Sequence, residues 1–212
     1  MPRYPVPLQE IRRELIVVNS RFIATLAPVF SVEQAKTFVA RIRHEFADAS
    51  HNVPAYMVGN GASVIEHCSD DGEPSGTAGR PALTVLKGSG LGDAAVVVTR
   101  YFGGTKLGTG GLVRAYSEAV RSVVAETPRA ERMPTLTILV ELPYRWLERM
   151  RRLVDVHMGR VLAEEFAGEV TVTARFPVER YPGFEGALRQ ASNDTIHPLV
   201  VSEEEELIPL AK

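Results

Sequence analysis

A glycine-rich segment in the middle of the chain carries the residues best suited to bind a ligand. It lies between a strand predicted over residues 94–102 and an amphipathic helix predicted over residues 112–126. A loop that leads into a helix points free backbone N–H groups at an anion, and the helix dipole favours the negative charge. Glycines would let an anion approach the backbone closely, and five occur here: Gly103, Gly104, Gly108, Gly110 and Gly111.

Three basic side chains accompany this loop and point to a phosphate ligand. They are Arg100, Lys106 and Arg114, and no acidic residue occurs between Asp93 and Glu118 to neutralise them. A phosphate of a nucleotide or of a nucleic-acid backbone is the expected ligand, and a structural turn that needs glycine is the alternative. The loop is neither a P-loop nor a dinucleotide-binding turn, because the Gly-Lys-Ser/Thr sequence and the third glycine are missing.

A carboxylate-rich loop precedes this segment and forms a second candidate site. Asp70, Asp71 and Glu73 fall within four positions and could hold a divalent cation or supply acid–base chemistry. Their spacing is not that of an EF-hand. The alternative is structural, with the carboxylates accepting hydrogen bonds from the loop backbone and pairing with Arg80.

The neighbouring His67 and Cys68 are a weak candidate for zinc or thiol chemistry. A zinc site needs a second closely spaced pair, which the sequence lacks. On a strand, adjacent side chains face opposite ways, so His67 would not act as the base for a Cys68 nucleophile. We therefore predict no metal and no cofactor.

Length and composition limit the remaining possibilities. The 212 residues, 45% hydrophobic and 24% charged, fit one large or two small globular domains. The net charge of −2 excludes a generally basic nucleic-acid binder, so any such surface must be local. The single cysteine excludes an internal disulfide, and no apolar run reaches the ~18 residues of a membrane span. We expect a cytoplasmic protein without membrane contact.

The hydrophobic pattern divides the chain into two domains at a polar, proline-bounded segment over residues 127–134. We predict an N-terminal domain over residues 1–128 and a C-terminal domain over 134–212. The second has the element order βαββαβ, which is the ferredoxin-like plan. The predicted elements before the glycine-rich segment are strands at 15–18 and 22–27 with a turn at Asn19-Ser20, a helix from Ser31, and a strand at 53–58. Those of the second domain are strands at 135–142, 160–167, 169–177 and 196–202 and helices at 144–158 and 183–192.

Three long motifs carry a resemblance to a known family. They read SDDGEPSGTAGRP at 69–81, RYFGGTKLG at 100–108 and GGLVRAYS at 110–117, and through them the chain resembles the YigZ/IMPACT family, bacterial YigZ type. The match covers about residues 14–126, with a mild departure at Thr105, and residues 134–205 look like the smaller domain that follows it. The signature loop contains Asp70, Asp71, Gly72, Glu73, Pro74, Ser75, Gly76, Thr77, Gly79 and Arg80. Further residues that match family motifs are Arg21, His51, Tyr56 and Tyr101.

The resemblance implies an α+β protein of two domains that are both used on RNA. The first would be similar to the second domain of a small-subunit ribosomal protein, and the second would be ferredoxin-like. Eukaryotic relatives regulate translation by competing for the activator of a stress kinase. They do so partly through an extra N-terminal domain that we expect this chain to lack, so that role is not carried over.

Three functions follow as hypotheses. The leading one is an RNA- or ribosome-binding regulator of translation, with RNA, the ribosome or a translation-related protein as partner and no enzymatic reaction. The second is an enzyme or binding protein for an anionic small molecule, for which a concave pocket with carboxylates beside Lys106 would be the sign. The third is a protein-interaction module, for which an exposed apolar patch on the ferredoxin-like sheet would be the sign.

Overall fold

The computed structural model describes residues 4–60 and 63–210 of the chain. It divides into two compact units, of which the first runs to Glu131 and resumes at Ile208, and the second is Arg132–Leu207. The protein is α+β, with two separate five-stranded sheets. The outermost residues of the two predicted domains, 1–3 and 211–212, lie outside the described part.

The first unit is a five-stranded antiparallel sheet covered by helices on both faces. Its elements are β1 (Pro5–Pro7), β2 (Ile11–Val17), β3 (Ser20–Pro28), α1 (Val32–Glu45), β4 (His51–Val58), β5 (Ile65–Cys68), α2 (Gly79–Gly88), β6 (Ala94–Tyr101), α3 (Gly108–Glu126) and the start of β7 (Arg129–Leu142). The strand order is β2-β3-β6-β4-β5, and β1 pairs separately with the first residues of β7.

Strand β6 is the centre of this sheet and is buried on both faces, as its apolar run predicts. Side chains alternate along a strand, so its two sets of residues face different helices. Ala94, Val96 and Val98 pack with α2 and α3, whereas Ala95 and Val97 pack with α1. All five are fully buried. The residues at the end of β6 are therefore held in a fixed position between α1 on one face of the sheet and α2 and α3 on the other.

The β2–β3 hairpin turns at Val18 and Asn19, one residue earlier than predicted. Both residues have positive φ, 45° and 65°, as a two-residue type I′ turn requires. Asparagine adopts this conformation readily but valine rarely does, so nothing in the sequence marks Val18 as a turn residue. Ser20, assigned to the turn from the sequence, is instead a buried residue of β3.

Three local features depart from the sequence prediction around the glycine-rich segment. Strand β5, which has only four residues, and helix α2 were not predicted. Glycines stand at both ends of α2 and weaken its helical pattern. Helix α3 begins at Gly108 rather than at Leu112, so three glycines of the predicted loop belong to its first turn. The predicted linker 127–134 is extended, because β7 begins at Arg129.

The second unit has the predicted order of elements, βαββαβ. After β7 come a short 3-10 turn (Tyr144–Trp146), α4 (Leu147–Val156), β8 (Arg160–Phe166), β9 (Val170–Pro177), α5 (Tyr181–Ser192) and β10 (Leu199–Pro209). Strand β7 lies between β10 and β9, and β8 is the far neighbour of β9. Residues from β7, β9, α4 and α5 form the core of this unit. None of the helices in the described residues is long and apolar enough to cross a bilayer.

We expect the two glycines at the ends of α2 to respond oppositely to alanine. A Cβ on Gly79 would lie 2.6 Å from the Ser69 carbonyl oxygen, so the backbone must shift. Gly79→Ala should lower the free energy of unfolding by roughly 1–3 kcal/mol. Gly88→Ala, which meets no atom within 4 Å, should be neutral or slightly stabilising. Chemical denaturation followed by circular dichroism measures both; equal losses would contradict the close approach at Gly79.

Candidate functional site

A buried ion pair joins the carboxylate loop to the end of β6. Arg100 Nη1 donates to Glu73 Oε1 over 2.6 Å, and the two side chains keep only 6% and 3% of their surface exposed. Tyr116, fully buried in α3, donates its hydroxyl to the same Glu73 oxygen over 2.7 Å. Burial, together with this hydrogen bond, raises the pKa of Tyr116, so its hydroxyl stays protonated and remains a donor.

The surroundings of Arg100 are mostly apolar. Its guanidinium lies 5.5 Å from the ring centres of both Phe22 and Phe102, and Nη2 donates to Ser20 Oγ over 3.3 Å. Its Nε is the only fully buried side-chain nitrogen or oxygen without a hydrogen bond in the described residues. Arg100 was predicted to contact phosphate directly. The structure places it inside the protein, with both terminal nitrogens already paired.

Asp70 acts as the cap of α2, which the structural interpretation of the loop anticipated. Its carboxylate accepts hydrogen bonds from the backbone N–H groups of Gly76, Ala78 and Gly79 at 2.8–3.0 Å. Burial alone would raise the pKa of Asp70, but these N–H donors and the nearby charge of Arg80 outweigh it and lower the pKa. The positive end of α2 is thus already occupied.

Asp71 binds residues at the start of β4 and in α1. Its carboxylate accepts from the Asn52 backbone N–H at 2.7 Å and from Arg43 at 2.6 Å, and its carbonyl oxygen lies 2.8 Å from His51 Nδ1. The structural interpretation pairs the carboxylates with Arg80, but Arg80 forms no ion pair among the described residues and acts on Asp70 only through its nearby charge. The arginines that form ion pairs with the described residues of the loop are Arg43 and Arg100.

The N-terminus of α3, in contrast to that of α2, is open. No side chain caps it, and its first turn contains no acidic residue. Lys106 and Arg114 are exposed beside it, and neither has an ion-pair partner among residues 4–60 and 63–210. Gly110 and Gly111 lie in its first turn, where they keep the backbone free of side chains. The arrangement can bind an anion through backbone N–H groups and two cations.

A cavity of about 380 Å³ opens at this end of α3. Glu73, Arg100, Phe102, Lys106 and Gly108 are among the residues that line it. Pro74 and Leu112 also border it. Asp70 and Asp71 do not, so only one of the three predicted carboxylates is at the site. No group of three His, Cys, Asp or Glu side chains within the described residues is arranged to hold a metal ion.

Glycines allow the loop after β6 to approach its neighbours. A Cβ on Gly103 would lie 2.0 Å from the Asn19 carbonyl oxygen, so only glycine fits against the β2–β3 turn. The Gly103 N–H donates to Ser20 Oγ, which also accepts from Arg100. Gly104 has φ +83°, a conformation that L side chains rarely adopt. These residues shape the loop, as the structural interpretation of the glycines proposed.

The signature loop places its remaining residues around Asp70 and Glu73. Gly72 and Gly76 have positive φ, 86° and 76°, which allows the chain to reverse twice. Thr77 Oγ1 donates to the Pro74 carbonyl oxygen over 2.7 Å and closes the second turn. Ser75 is exposed. The loop is consequently a compact, hydrogen-bonded support that presents Glu73.

The other residues that match family motifs lie apart from the cavity lining, except that His51 approaches Glu73. His51 Nε2 is 3.8 Å from Glu73 Oε1. Arg21 stacks over Tyr101 at 5.4 Å, and the Tyr101 hydroxyl donates to Asp48. Tyr56 is buried and contributes to the core beside α1.

Cys68 and its neighbour His67 form no catalytic pair. His67 stacks on Tyr56 at 5.1 Å between ring centres. Burial and the nearby charge of Asp70 raise the pKa of the Cys68 thiol, which disfavours the reactive thiolate.

Sequence reasoning missed three residues that complete the site. Tyr116 and Ser20 hold Glu73 and Arg100, and Phe102, 49% exposed, borders the cavity. Phe102 and Tyr116 lie within the motifs quoted for the family resemblance, and Ser20 directly precedes Arg21, which matches a further family motif. For Phe102 and Tyr116 a second signal was an aromatic side chain close to the basic loop, but a buried tyrosine on a helix resembles an ordinary core residue.

We expect the buried pair to be far more sensitive to losing a charge than to losing one hydrogen bond. Glu73→Gln leaves Arg100 buried without its counter-charge and should lower the free energy of unfolding by roughly 3–5 kcal/mol. Tyr116→Phe keeps the ion pair and should cost roughly 1–2 kcal/mol. Circular dichroism is the suitable signal, because the single tryptophan, Trp146, lies in the second unit. If Glu73→Gln lowered the free energy of unfolding by less than Tyr116→Phe does, that result would contradict the buried ion pair between Arg100 and Glu73.

The lowered pKa of Asp70 predicts how stability depends on pH. A carboxyl whose pKa is lower in the folded state stabilises the protein at any pH above its pKa in the unfolded state, which is ordinarily 3.8. That contribution to the free energy of unfolding is lost as the pH falls through the pKa of the folded state. Asp70→Asn should therefore be less stable than the wild type at pH 7, and the difference should narrow below about pH 4. Unfolding free energies of both proteins between pH 7 and pH 3 measure it. A difference that does not change with pH would show that Asp70 is not the ionised cap.

Comparison with known proteins identifies the family. Residues 18–124 match the family model of the Impact N-terminal domain. The chain is 34% identical to the IMPACT family member YigZ of Escherichia coli K12 over 205 residues, 96% of this chain and 98% of that protein. It is 42% identical to YvyE of Bacillus subtilis over 137 residues, 65% and 63% of the two chains. A crystal structure of a hypothetical protein, 33% identical, covers 96% of this chain and 100% of its own with a TM-score of 0.63. The resemblance seen in the sequence is confirmed, and the chain belongs to the IMPACT family.

Proposed function

We propose that this protein binds RNA, free or on the ribosome, through the N-terminus of α3, and that it regulates translation by doing so. The observation that carries the proposal is the open end of α3. Its backbone N–H groups have no side-chain cap, and Lys106 and Arg114 beside it lack an ion-pair partner in the described residues. Three sources of positive potential at one point favour a phosphate group.

The proposed contact set differs from the one drawn from the sequence. Arg100 is omitted as a direct contact, because its terminal nitrogens are paired with Glu73 and Ser20 inside the protein. Its proposed role is to fix Glu73 at the edge of the cavity. Lys106 and Arg114 remain as phosphate contacts, and Gly108, Gly110 and Gly111 remain as the backbone that a phosphate approaches.

We extend the proposal to the folds of the two units. For the second unit, the βαββαβ order and the strand order β10-β7-β9-β8 support the ferredoxin-like type. For the first unit, the likeness to a ribosomal-protein domain rests on the family resemblance. Both assignments agree with a protein that works on RNA.

The interaction-module hypothesis receives less support. The face of the second sheet that is turned away from α4 and α5 carries Arg175, which pairs with Thr137 and Glu204. The exposed apolar residues Leu199–Val201 follow one another along β10, so alternation places only Leu199 and Val201 on one face and Val200 on the other.

A small anionic molecule is the second candidate ligand, and the cavity beside Lys106 favours it. The volume of about 380 Å³ lies within the range of small-ligand pockets, about 300–1,000 Å³. An enzyme at this site would have Glu73 as its only carboxylate, since Asp70 and Asp71 are engaged elsewhere. Glu73 is itself held in an ion pair with Arg100, so the site favours binding over acid–base catalysis.

We expect ribosome binding to depend on the salt concentration and on the side chains of Lys106 and Arg114. Co-sedimentation of the protein with ribosomes and separated subunits over a salt series measures the slope of log affinity against log salt. Lys106→Ala and Arg114→Ala should each weaken binding and make the slope shallower by roughly 0.7–0.9, the value for one phosphate contact. Lys36→Ala is the matched control, because this exposed lysine lies on α1, on the other face of the sheet.

Two results would decide against the proposal. If the wild type does not sediment with ribosomes at low salt, the ribosome is not the partner. If the control variant changes the slope as much as Lys106→Ala does, binding is not located at α3. In either case, titration with a phosphorylated small molecule such as a nucleoside monophosphate tests the second candidate directly.

A further inference from the structure

The cavity at the start of α3 contains a hydrogen-bond acceptor that the fold does not use. Glu73 Oε1 accepts from both Arg100 and Tyr116, whereas Oε2 has no hydrogen bond to any described residue. The only fully enclosed side-chain atom left without a partner in the described part is Arg100 Nε, so Oε2 keeps some accessible surface. Glu73 is 97% buried by side chain and lines the cavity, so that surface faces the cavity.

The charge around Glu73 selects the kind of group that this oxygen accepts. Arg100, 2.6 Å away, already balances the carboxylate, and a second cation would be repelled by the guanidinium. A neutral O–H or N–H donor meets no such repulsion and forms a charge-assisted hydrogen bond. Oε2 is therefore suited to a hydroxyl group of the ligand.

The rest of the cavity supplies two further kinds of contact. At one side, Lys106 and the uncapped start of α3 favour an anion. At another side, the ring of Phe102 is 49% exposed and offers a surface on which a planar base can stack. Phosphate, hydroxyl and planar ring are together the parts of one ribonucleotide. The volume of about 380 Å³ suits a single such unit.

We propose that this cavity holds one nucleotide of a single-stranded RNA and distinguishes RNA from DNA, with Glu73 accepting a hydrogen bond from the ribose 2′-hydroxyl. Lys106 and the α3 N-terminus bind the phosphate, and Phe102 stacks on the base. A carboxylate that accepts from a ribose hydroxyl is an established way of recognising ribose, and the 2′-hydroxyl is what separates the two nucleic acids. This inference rests on the proposed function and adds to it the kind of nucleic acid and how it is recognised.

The test compares three oligonucleotides of one sequence on the intact wild-type protein. Fluorescence anisotropy at low salt measures binding of an oligouridylate of about a dozen nucleotides, its 2′-deoxy form and its 2′-fluoro form. The fluoro form keeps an RNA-like sugar but has no hydroxyl donor. We expect the ribose form to bind roughly 10- to 100-fold more tightly than the deoxy form, and the fluoro form to bind like the deoxy form.

Two variants examine the protein side of the contact. Glu73→Gln should bring RNA binding down towards DNA binding, provided that its circular dichroism spectrum remains that of the wild type. Phe102→Ala should weaken all three ligands roughly tenfold and leave their ratio unchanged, because stacking does not involve the sugar. Phe102 is exposed, so this variant is expected to fold.

The outcomes separate this inference from the proposed function. Equal, salt-sensitive binding of ribose and deoxyribose forms would overturn the ribose contact and leave the phosphate site standing. The protein could instead distinguish oligouridylate from oligoadenylate or oligocytidylate while binding the ribose and deoxyribose forms equally. That result would assign Glu73 to the edge of a base and would also overturn the ribose contact. No binding of any oligonucleotide at low salt would overturn the single-stranded nucleotide site, whereas the proposed function is decided separately by co-sedimentation with ribosomes.

Discussion

The contact between Arg100 and Glu73 is the constraint on which the rest of the site depends. It joins the end of the central strand to the carboxylate loop, and Tyr116 joins both to α3. Removing two charges from water is costly, and Arg100 Nε adds to that cost because it has no partner. A buried ion pair of this kind contributes more to position than to stability. Here it fixes the Glu73 carboxylate at the wall of a cavity that the open N-terminus of α3 also borders.

The two helices above the pair use their N-termini differently. Asp70 saturates the start of α2, which makes that helix end part of the framework. The start of α3 has neither a cap nor an acidic residue, so its partial positive charge is available to a ligand. The same carboxylate loop thus caps the N-terminus of α2 with Asp70 and places Glu73 in the cavity at the N-terminus of α3. This division of labour explains why three neighbouring carboxylates do not form one metal or acid–base site.

Electrostatics then reconcile a chain of net charge −2 with an anion-binding site. Most arginines of the first unit are neutralised locally, as in the pairs Arg12–Glu45, Arg43–Asp71 and Arg100–Glu73. Lys106 and Arg114, in contrast, have no ion-pair partner in the described residues, and they flank the helix end that lacks a cap. At this helix end the two charges add to the partial positive charge of the backbone N–H groups, and a weak overall field does not oppose an anion that approaches it.

Much about this protein was readable in the sequence because it depends on local patterns. The apolar run within residues 94–102 indicated a buried strand, Ser31 marked the start of the first helix, and the motifs around Asp70 and Gly103 indicated the family. The glycine-rich character of the site region was equally plain, although the same glycines concealed α2 and the true start of α3.

Only the tertiary structure decided what each charged residue does. Arg100 seemed uncompensated because its counter-charge, Glu73, lies 27 positions earlier and is brought beside it by the packing of the loop against β6. The partner of Asp71, likewise, is Arg43 of α1 rather than the nearby Arg80. Sequence patterns report periodicity and short-range spacing, whereas pairing of charges depends on which side chains share a buried volume. That physical difference is why the family and the strand could be predicted, and why the cavity with its free carboxylate oxygen could not.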